Sequence, residues 1–196
     1  DPERRADTES LPNNILLVIN PTPTSDSERS GSAYKLFGGG NLNHINLRNA
    51  CVFDDGAWAL ASYMSKNSFI KTLDLSYNSI SDEGMQAIAG GLVNFVGLET
   101  LKLNGNGFGF DGCSYLFRTL NDHKFIKVLE MSDNRIADDG AEIVGELLVH
   151  HLSLVELYLD SCYIGNHGIQ KLGDSLESNR TLEKISLSKN RFDKDG

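Results

Sequence analysis

The sequence predicts an α/β solenoid, a stack of short strand–turn–helix units that share one extended core. Three observations predict it: an apolar-x-apolar segment recurs every 28 residues, a polar residue and a glycine recur at fixed distances behind it, and an apolar stripe of helical spacing ends each unit. A unit of this size cannot close a core alone. It must therefore stack on its neighbours.

Six in-phase copies of the unit follow one another without a gap. They begin at residues 44, 72, 100, 128, 156 and 184 with HINLRNACVFDDG, TLDLSYNSISDEG, TLKLNGNGFGFDG, VLEMSDNRIADDG, ELYLDSCYIGNHG and KISLSKNRFDKDG. We predict three parts of the chain. Residues 1–12 are a disordered tail, residues 13–43 a degenerate N-terminal capping repeat with a mobile loop, and residues 44–196 the repeat array, with five full repeats and the start of a sixth.

The strand of each unit is predicted by its first two apolar positions, which stand two residues apart. That spacing places both side chains on the buried face of a short strand. The first position is Ile45, Leu73, Leu101, Leu129, Leu157 or Ile185, and the second is Leu47, Leu75, Leu103, Met131, Leu159 or Leu187. The residues between and after them are expected to face outward.

The turn after each strand is predicted by a polar position. It is asparagine at 78, 106, 134 and 190 and cysteine at 162, with Ala50 as a departure. A buried amide there can bond the backbone as the chain leaves the strand. All six units also share a glycine six residues after this position, at 56, 84, 112, 140, 168 and 196. Acids such as Asp82 and Asp138 precede several of these glycines. Such acids suit a helix N-terminus, by capping or by the helix dipole.

The helix of each unit is predicted by apolar residues spaced three and four apart, as in Met85, Ile88 and Leu92. At the start of the third helix, the segment from Gly107 to Gly112 also satisfies G-x-G-x-x-G, and acids stand about 20 residues on, as in dinucleotide-binding units. Because Gly112 belongs to the repeat, and every unit offers a strand, a turn and a helix, we predict no nucleotide site there.

The repeated pattern L-x-L-x-x-N/C-x-[LIVF]-x-x-x-G resembles the ribonuclease-inhibitor-like class of leucine-rich repeat proteins. In the second unit it is carried by Leu73, Leu75, Asn78, Ile80 and Gly84. The resemblance implies a right-handed horseshoe, with parallel strands on the concave face and helices on the convex face. It implies no single function, since the class ranges from ribonuclease inhibitor to the activator of the Ran GTPase.

Composition disfavours several classes of partner. The formal net charge is -9, with acids and bases scattered, so the surface repels phosphate and we expect no nucleic acid partner. The longest apolar run, residues 88–98, is too short for membrane insertion. Three scattered cysteines predict neither a zinc site nor a disulfide framework and favour the cytoplasm, whereas the sequon at Asn179 argues weakly against it. We expect no metal and no cofactor.

Catalytic constellations are weak, and the sequence predicts that the chain is not an enzyme. The five histidines are taken to fall at different repeat positions, with His150 and His151 in a return loop and facing solvent. No serine lies in a G-x-S-x-G motif, and no nucleophile can be tied to a base.

The outward side of the strands in units two to five is the predicted binding surface. Two tyrosines flank an acidic patch with a lysine beside it, a combination that suits a protein interface. The candidate protein-binding residues are Asp74, Tyr77, Lys102, Glu130, Asp133, Arg135, Tyr158, Asp160 and Tyr163. The expected partner is a protein with a basic segment, bound by a monomer or by a subunit of a hetero-complex.

Three alternatives stay open at this point. The candidate residues can be ordinary solvated side chains of a strand. By analogy with the Ran activator, the protein can be a GTPase activator, since Arg135 and Arg191 share one loop position. It can also be an architectural subunit, held in a larger assembly through its convex side or its ends.

Overall fold

The computed structural model describes residues 43–65, 70–93, 95, 97–151 and 153–194. In this part of the chain six strands alternate with five helices. The strands are β1 (His44–Asn46), β2 (Thr72–Asp74), β3 (Thr100–Lys102), β4 (Val128–Glu130), β5 (Glu156–Tyr158) and β6 (Lys184–Ser186). The helices are α1 (Phe53–Met64), α2 (Asp82–Leu92), α3 (Phe110–Leu120), α4 (Ala137–His150) and α5 (Asn166–Ser178). The predicted tail and nearly all of the predicted capping repeat lie outside the described residues.

The strands form one parallel sheet in the order β1-β2-β3-β4-β5-β6. Its register pairs residues of the same repeat position, so that Leu73 lies opposite Leu101 and Leu101 opposite Leu129. Sequential strands are therefore neighbours throughout, as stacking of identical units requires. The predicted α/β solenoid is confirmed, with the strands on the concave side and the helices on the convex side.

The core runs between the sheet and the helices as one continuous cluster. Both apolar strand positions are buried from β1 to β5, and Met85, Leu116 and Leu148 meet them from the helices. At β6 the equivalent Ile185 and Leu187 are only partly buried. That strand has a neighbour on one side only within the described residues.

The asparagine position forms the predicted ladder between repeats. The side chain of Asn78 accepts hydrogen bonds at Oδ1 from the N–H of Ala50 (2.8 Å) and of Val52 (3.2 Å) in the preceding repeat. Its Nδ2 donates to the carbonyls of Leu47 (2.8 Å) and Leu75 (2.9 Å). Each amide thus bonds two adjacent repeats, which satisfies backbone groups that the turn removes from the sheet.

The acids before the glycines form a second ladder, and their partner differs from the predicted one. Asp82 lies in the first turn of α2, yet its Oδ1 accepts from the N–H groups of Gly109 (2.7 Å) and Gly112 (2.8 Å) at the start of α3. Asp54 bonds Ser81, and Asp138 bonds Gly165 and Gly168, in the same way. Each acid therefore caps the helix of the following repeat rather than its own.

This aspartate ladder and the apolar residue four positions earlier explain the glycine at position 112, and the ladder excludes the dinucleotide interpretation. A Cβ at Gly112 would lie 2.7 Å from Asp82 Oδ1 and 2.8 Å from Phe108 Cβ, so only glycine leaves room for the carboxylate. The N–H groups that would receive a pyrophosphate already hold that carboxylate. A second anion at the same N–H groups would meet like charge.

The histidine prediction is wrong for two residues. His123 and His151 stand 28 residues apart, at one repeat position, and both are buried; His151 is 3% exposed. His123 Nε2 donates to the Leu92 carbonyl at 2.9 Å, where α2 ends. His151 Nδ1 accepts from the Leu154 N–H at 3.2 Å. His150 faces solvent as predicted, but it is the last residue of α4 and does not lie in a return loop.

The sequon asparagine occupies the next copy of this position. Asn179 Nδ2 donates to the Leu148 carbonyl at 2.6 Å, and its Oδ1 accepts from the N–H groups of Thr181 (3.0 Å) and Leu182 (2.8 Å). A glycan on Nδ2 would compete with the bond to Leu148. The sequon is thus accounted for as part of a turn that caps the preceding helix.

Candidate binding surface

Four of the predicted site residues form one row across the concave face. The register places Asp74 beside Lys102, Lys102 beside Glu130, and Glu130 beside Tyr158. Lys102 Nζ and Glu130 Oε1 form an ion pair at 2.7 Å. The hydrogen bond to Glu130 raises the pKa of Lys102, with further charge from Asp74 and Tyr158, while burial acts in the opposite direction. Lys102 is therefore held as a cation among acids.

A second polar row stands at the ends of the strands and contains Asp160. Asn104 Nδ2 donates to Glu130 Oε2 (2.7 Å), and Asn104 Oδ1 accepts from the N–H of Ser132 (2.8 Å). Ser132 Oγ accepts from the N–H of Asp160 (3.0 Å). Asp160 Oδ1 accepts from Ser188 N–H and from Ser186 Oγ, both at 2.6 Å. Asp160 therefore has a structural partner, and is not a solvated acid.

Tyr77 lies across the surface, over Gly105 of the next repeat, and reaches the repeat after that. A Cβ at Gly105, whose φ is 62°, would collide with the ring of Tyr77. The hydroxyl of Tyr77 donates to Asp133 Oδ2 at 3.3 Å, and the guanidinium of Arg48 lies 4.4 Å from the ring centroid. The side chain is 40% exposed, so a fixed aromatic edge faces solvent.

Tyr158 is held in a similar way at the other end of the row. Its hydroxyl donates to the Glu156 carboxylate and accepts from Lys184 Nζ at 2.7 Å. Lys184 also lies over the ring, 4.7 Å from its centroid. The bond to Tyr158 raises the pKa of Lys184, with the nearby charges adding to the effect and desolvation opposing it. Both tyrosines of the strand face, Tyr77 and Tyr158, thus already have a cation over the ring.

The two remaining predicted residues belong to the loop position rather than to the strand rows. Tyr163 is exposed, and the guanidinium of Arg191 stacks on its ring at 4.4 Å. Arg135 is exposed in the preceding repeat, and its N–H donates to the Phe108 carbonyl. Arg191, the second arginine on which the GTPase alternative rests, is therefore already engaged within the chain.

Three residues outside the predicted set complete the surface: Arg48, Asn104 and Lys184. The repeat register could have found them, because each stands on a turn or strand directly beside a predicted site residue. Their contacts depend on side-chain reach between repeats, which the register alone does not give. In the described residues, no group of three or more histidines, cysteines or acids could hold a metal ion. No helix among these residues has the length and apolar character to cross a membrane.

Comparison with known proteins bears on the fold. A family model described as a leucine-rich repeat matches residues 66–89 and 123–142. The structure is similar to leiomodin-1 actin-binding site 2, with a TM-score of 0.59 and 17% identity over 68% of this chain and 78% of that chain. It is also similar to the C-terminal domain of a Caenorhabditis elegans tropomodulin, with a TM-score of 0.58 and 17% identity over 67% of this chain and 82% of that chain.

No curated protein is significantly similar to the chain in sequence. At 17% identity the structural likeness concerns the fold alone. The assignment to the ribonuclease-inhibitor-like class stays a prediction. The repeats, the matched family model and the shared fold together identify the chain as a leucine-rich repeat protein.

Proposed function

We propose that the concave strand face is a non-catalytic binding surface for a partner protein. The observation that carries the proposal is the fixation of Tyr77 and Tyr158. Each ring is held by a hydroxyl bond and by a cation over one face. Aromatic side chains that are immobile before binding lose little entropy on binding, which makes them effective anchors.

The charges of the same face favour a partner with a basic segment. Asp74 and Glu130 flank Lys102 in the strand row, and Asp133 and Glu156 accept the hydroxyls of Tyr77 and Tyr158. These acids have internal partners, so a ligand must exchange with existing bonds rather than neutralise free charge. Exchange of that kind gives specificity and a faster association more than it gives affinity.

Actin is the first partner to test. The leiomodin-1 segment to which the fold is similar is itself an actin-binding site. We would measure binding of the purified protein to monomeric and filamentous actin, by anisotropy and by co-sedimentation. Binding that Tyr158→Ala weakens would support both the partner and the surface. A negative result for actin leaves other proteins, which the next experiment captures.

Photo-crosslinking separates the two faces for any partner. A photoreactive amino acid would replace Tyr77 or Tyr158 on the concave face, or Gln170 on the exposed surface of α5. We expect the concave positions to capture one partner in cell extract and Gln170 to capture none. Capture of that partner at Gln170 alone would contradict the proposal and favour the architectural alternative.

Substitution kinetics on the captured partner test the role of the ring. Tyr158→Ala is expected to raise the dissociation rate by the equivalent of roughly 1–3 kcal/mol, because an anchor is removed. Tyr158→Phe keeps the ring and should retain most of the affinity. Asp133→Lys should lower the association rate and its salt dependence. Asp174→Lys with Glu177→Lys, both exposed on α5, is the matched control and should change neither rate.

A further inference from the structure

A groove of about 700 Å³ lies between α3 and α4 on the convex side of the solenoid. Its apolar lining includes Phe110, Phe117 and Ile143, and the acids Asp139 and Glu146 stand on the α4 wall. Phe110 is 48% exposed, and both acids are exposed. The groove is spatially separate from the strand face, because the sheet and the core lie between the two sides.

Two departures from the repeat, both on α3, line this groove. Phe110 occupies the aspartate-ladder position, and Phe117 occupies a position where the other helices have a small residue. The small residues are Ala61, Ala89, Gly145 and Gly173. Residues seven apart lie on one face of a helix, so the two phenylalanines face the same side of α3. Where the residue is small the helices approach closely: a Cβ at Gly145 would lie 2.5 Å from Ser175 Oγ of α5.

Phe110 also removes a cap that the neighbouring repeats have. Without an acid at this position, Ala137 adopts a φ of 54° and its N–H donates to the Cys162 carbonyl at 2.9 Å. The equivalent Gly109 and Gly165 bond Asp82 and Asp138. An exposed phenyl group in place of a capping carboxylate does not serve stability. A residue that breaks a local rule without such a gain points to a binding role.

The walls of the groove decide what kind of segment can occupy it. Both walls are helices, whose backbone groups bond internally, so they present no strand edge. An occupant that buries its backbone must satisfy its own N–H and C=O groups, which an α-helix does. The 11 residues of α3 extend over about 16 Å, which matches roughly three turns of a second helix.

The charges of the groove decide the sign of the occupant. Glu142 is paired with Lys171 at 2.9 Å, whereas Asp139 and Glu146 form no ion pair within the described part of the chain. Arg118 is a basic residue of the opposite wall. We propose that this groove binds a basic amphipathic α-helix of a partner protein, with a large apolar side chain against Phe110 and a lysine or arginine beside Asp139 and Glu146. This surface goes beyond the proposed concave function and is independent of it.

The test is selection from a displayed library of random linear peptides on the wild-type protein, with counter-selection on Phe110→Asp. We expect the selected peptides to have apolar residues at helical spacing and lysine or arginine between them. A synthetic peptide of this kind should bind the wild type at least about tenfold more tightly than Phe110→Asp, measured by fluorescence anisotropy. Asp139→Lys with Glu146→Lys should weaken binding as well, and high salt should do the same.

Controls separate this proposal from misfolding and from the concave surface. Phe110→Asp restores the ladder position, so its urea midpoint should equal or exceed that of the wild type; if it does not fold, the double lysine variant carries the test. Phe125→Asp, at an exposed phenylalanine outside the groove, and Tyr158→Ala should both bind the peptide normally. Acidic selected peptides, no selected peptides, or equal binding by Phe110→Asp would overturn the proposal. A wild-type dimer that dissociates in Phe110→Asp would instead assign the groove to a second copy of the chain.

Discussion

At the scale of single residues, Asn134 joins two repeats through its amide. Oδ1 accepts from the N–H of Asn106 at 3.1 Å, and Nδ2 donates to the carbonyls of Leu103 (2.9 Å) and Met131 (2.8 Å). The side chain is 1% exposed, so water cannot replace it. Without this side chain, the backbone groups of Asn106, Leu103 and Met131 would lose these hydrogen bonds, so we expect the residue to contribute to stability.

Replacing Asn134 by leucine should therefore lower the free energy of unfolding by about 1–3 kcal/mol, measured by urea denaturation. Cys162→Asn is the opposite change. It restores an amide where a thiol now donates to the Met131 carbonyl at 3.3 Å, and it should hold or raise stability. An unchanged free energy of unfolding in Asn134→Leu would contradict the contribution to stability that we assign to the asparagine ladder.

His151 is a second residue whose role follows from burial. Burial is the main cause that lowers the pKa of His151; the backbone of His123 and, more weakly, that of Leu120 oppose the shift, while the charge of the His123 ring lowers the pKa further. Nε2 makes no hydrogen bond of normal geometry within the described residues. Nδ1 accepts the Leu154 N–H, so a proton on Nδ1 would remove that bond. Burial also lowers the pKa of His123, while the hydrogen bond to the Leu92 carbonyl and the charge of Asp122 act to raise it.

The folded state binds a proton at His123 and His151 less readily than the unfolded state does. The free energy of unfolding should therefore be highest above about pH 6.5 and should fall as the pH drops below that value. We expect urea midpoints to decrease between about pH 7 and pH 5. His151→Asn introduces the residue type that the following repeat has at this position, Asn179, and should make the urea midpoint less sensitive to pH. His150→Asn, at an exposed position on α4, should leave it as in the wild type. An equal decrease in all three proteins would refute the assignment.

At the scale of elements, the aspartate ladder sets how each helix begins. Helices α2 and α5 follow residues with extended backbone, and α3 follows Gly109, whose backbone is also non-helical; each of the three has an acid of the preceding repeat at its N–H groups. Helix α4 has Phe110 in place of that acid and begins with a left-handed residue, Ala137. The start of a helix is thus decided by the residue one repeat earlier.

Asp82→Ala should accordingly destabilise the chain by about 0.5–2 kcal/mol, the cost of a lost N-cap. The bonds to Gly109 and Gly112 would be removed, although Asp82 itself belongs to α2. Asp111→Ala is the control, since Asp111 is an exposed acid in the first turn of α3 and has only the helix dipole to act on. Urea denaturation of the two variants gives the comparison. A larger loss for Asp111→Ala would mean that each acid caps its own helix.

At the scale of the whole molecule, the ladders and the sheet make neighbouring repeats depend on one another. No repeat buries its apolar face without the next, and each polar ladder joins residues of adjacent units. Nearest-neighbour coupling of this kind predicts that the array unfolds as one unit.

Trp58 provides the test, because it lies in α1, far along the stack from Asn134. We expect Asn134→Leu to lower the urea midpoint that Trp58 fluorescence reports by the same amount as the midpoint that circular dichroism reports. Two separate midpoints would show that α1 unfolds independently of the fourth repeat. The wild type, with coincident transitions by both probes, is the reference.

The repeat made most of the fold predictable from sequence. The spacing of Leu73, Leu75 and Asn78 indicated a buried strand face and a bonded turn, and both are present. Asp74, Lys102 and Glu130 were placed in one row for the same reason, whereas Ser76, expected to face outward, is buried. The partners within those rows were not predictable: the contact of Tyr77 with Asp133 spans two repeats and depends on the absent side chain of Gly105.

The sequence by itself determined the architecture, because a repeat of fixed length places the same position of every unit in one column of the stack. Only the tertiary structure decided what each column does. It turned the acids towards the following helix, buried His123 and His151, and opened a groove beside Phe110. The physical reason is that these outcomes depend on the volume and reach of side chains in adjacent repeats. Periodicity aligns such side chains, but their contacts arise only when the units pack together.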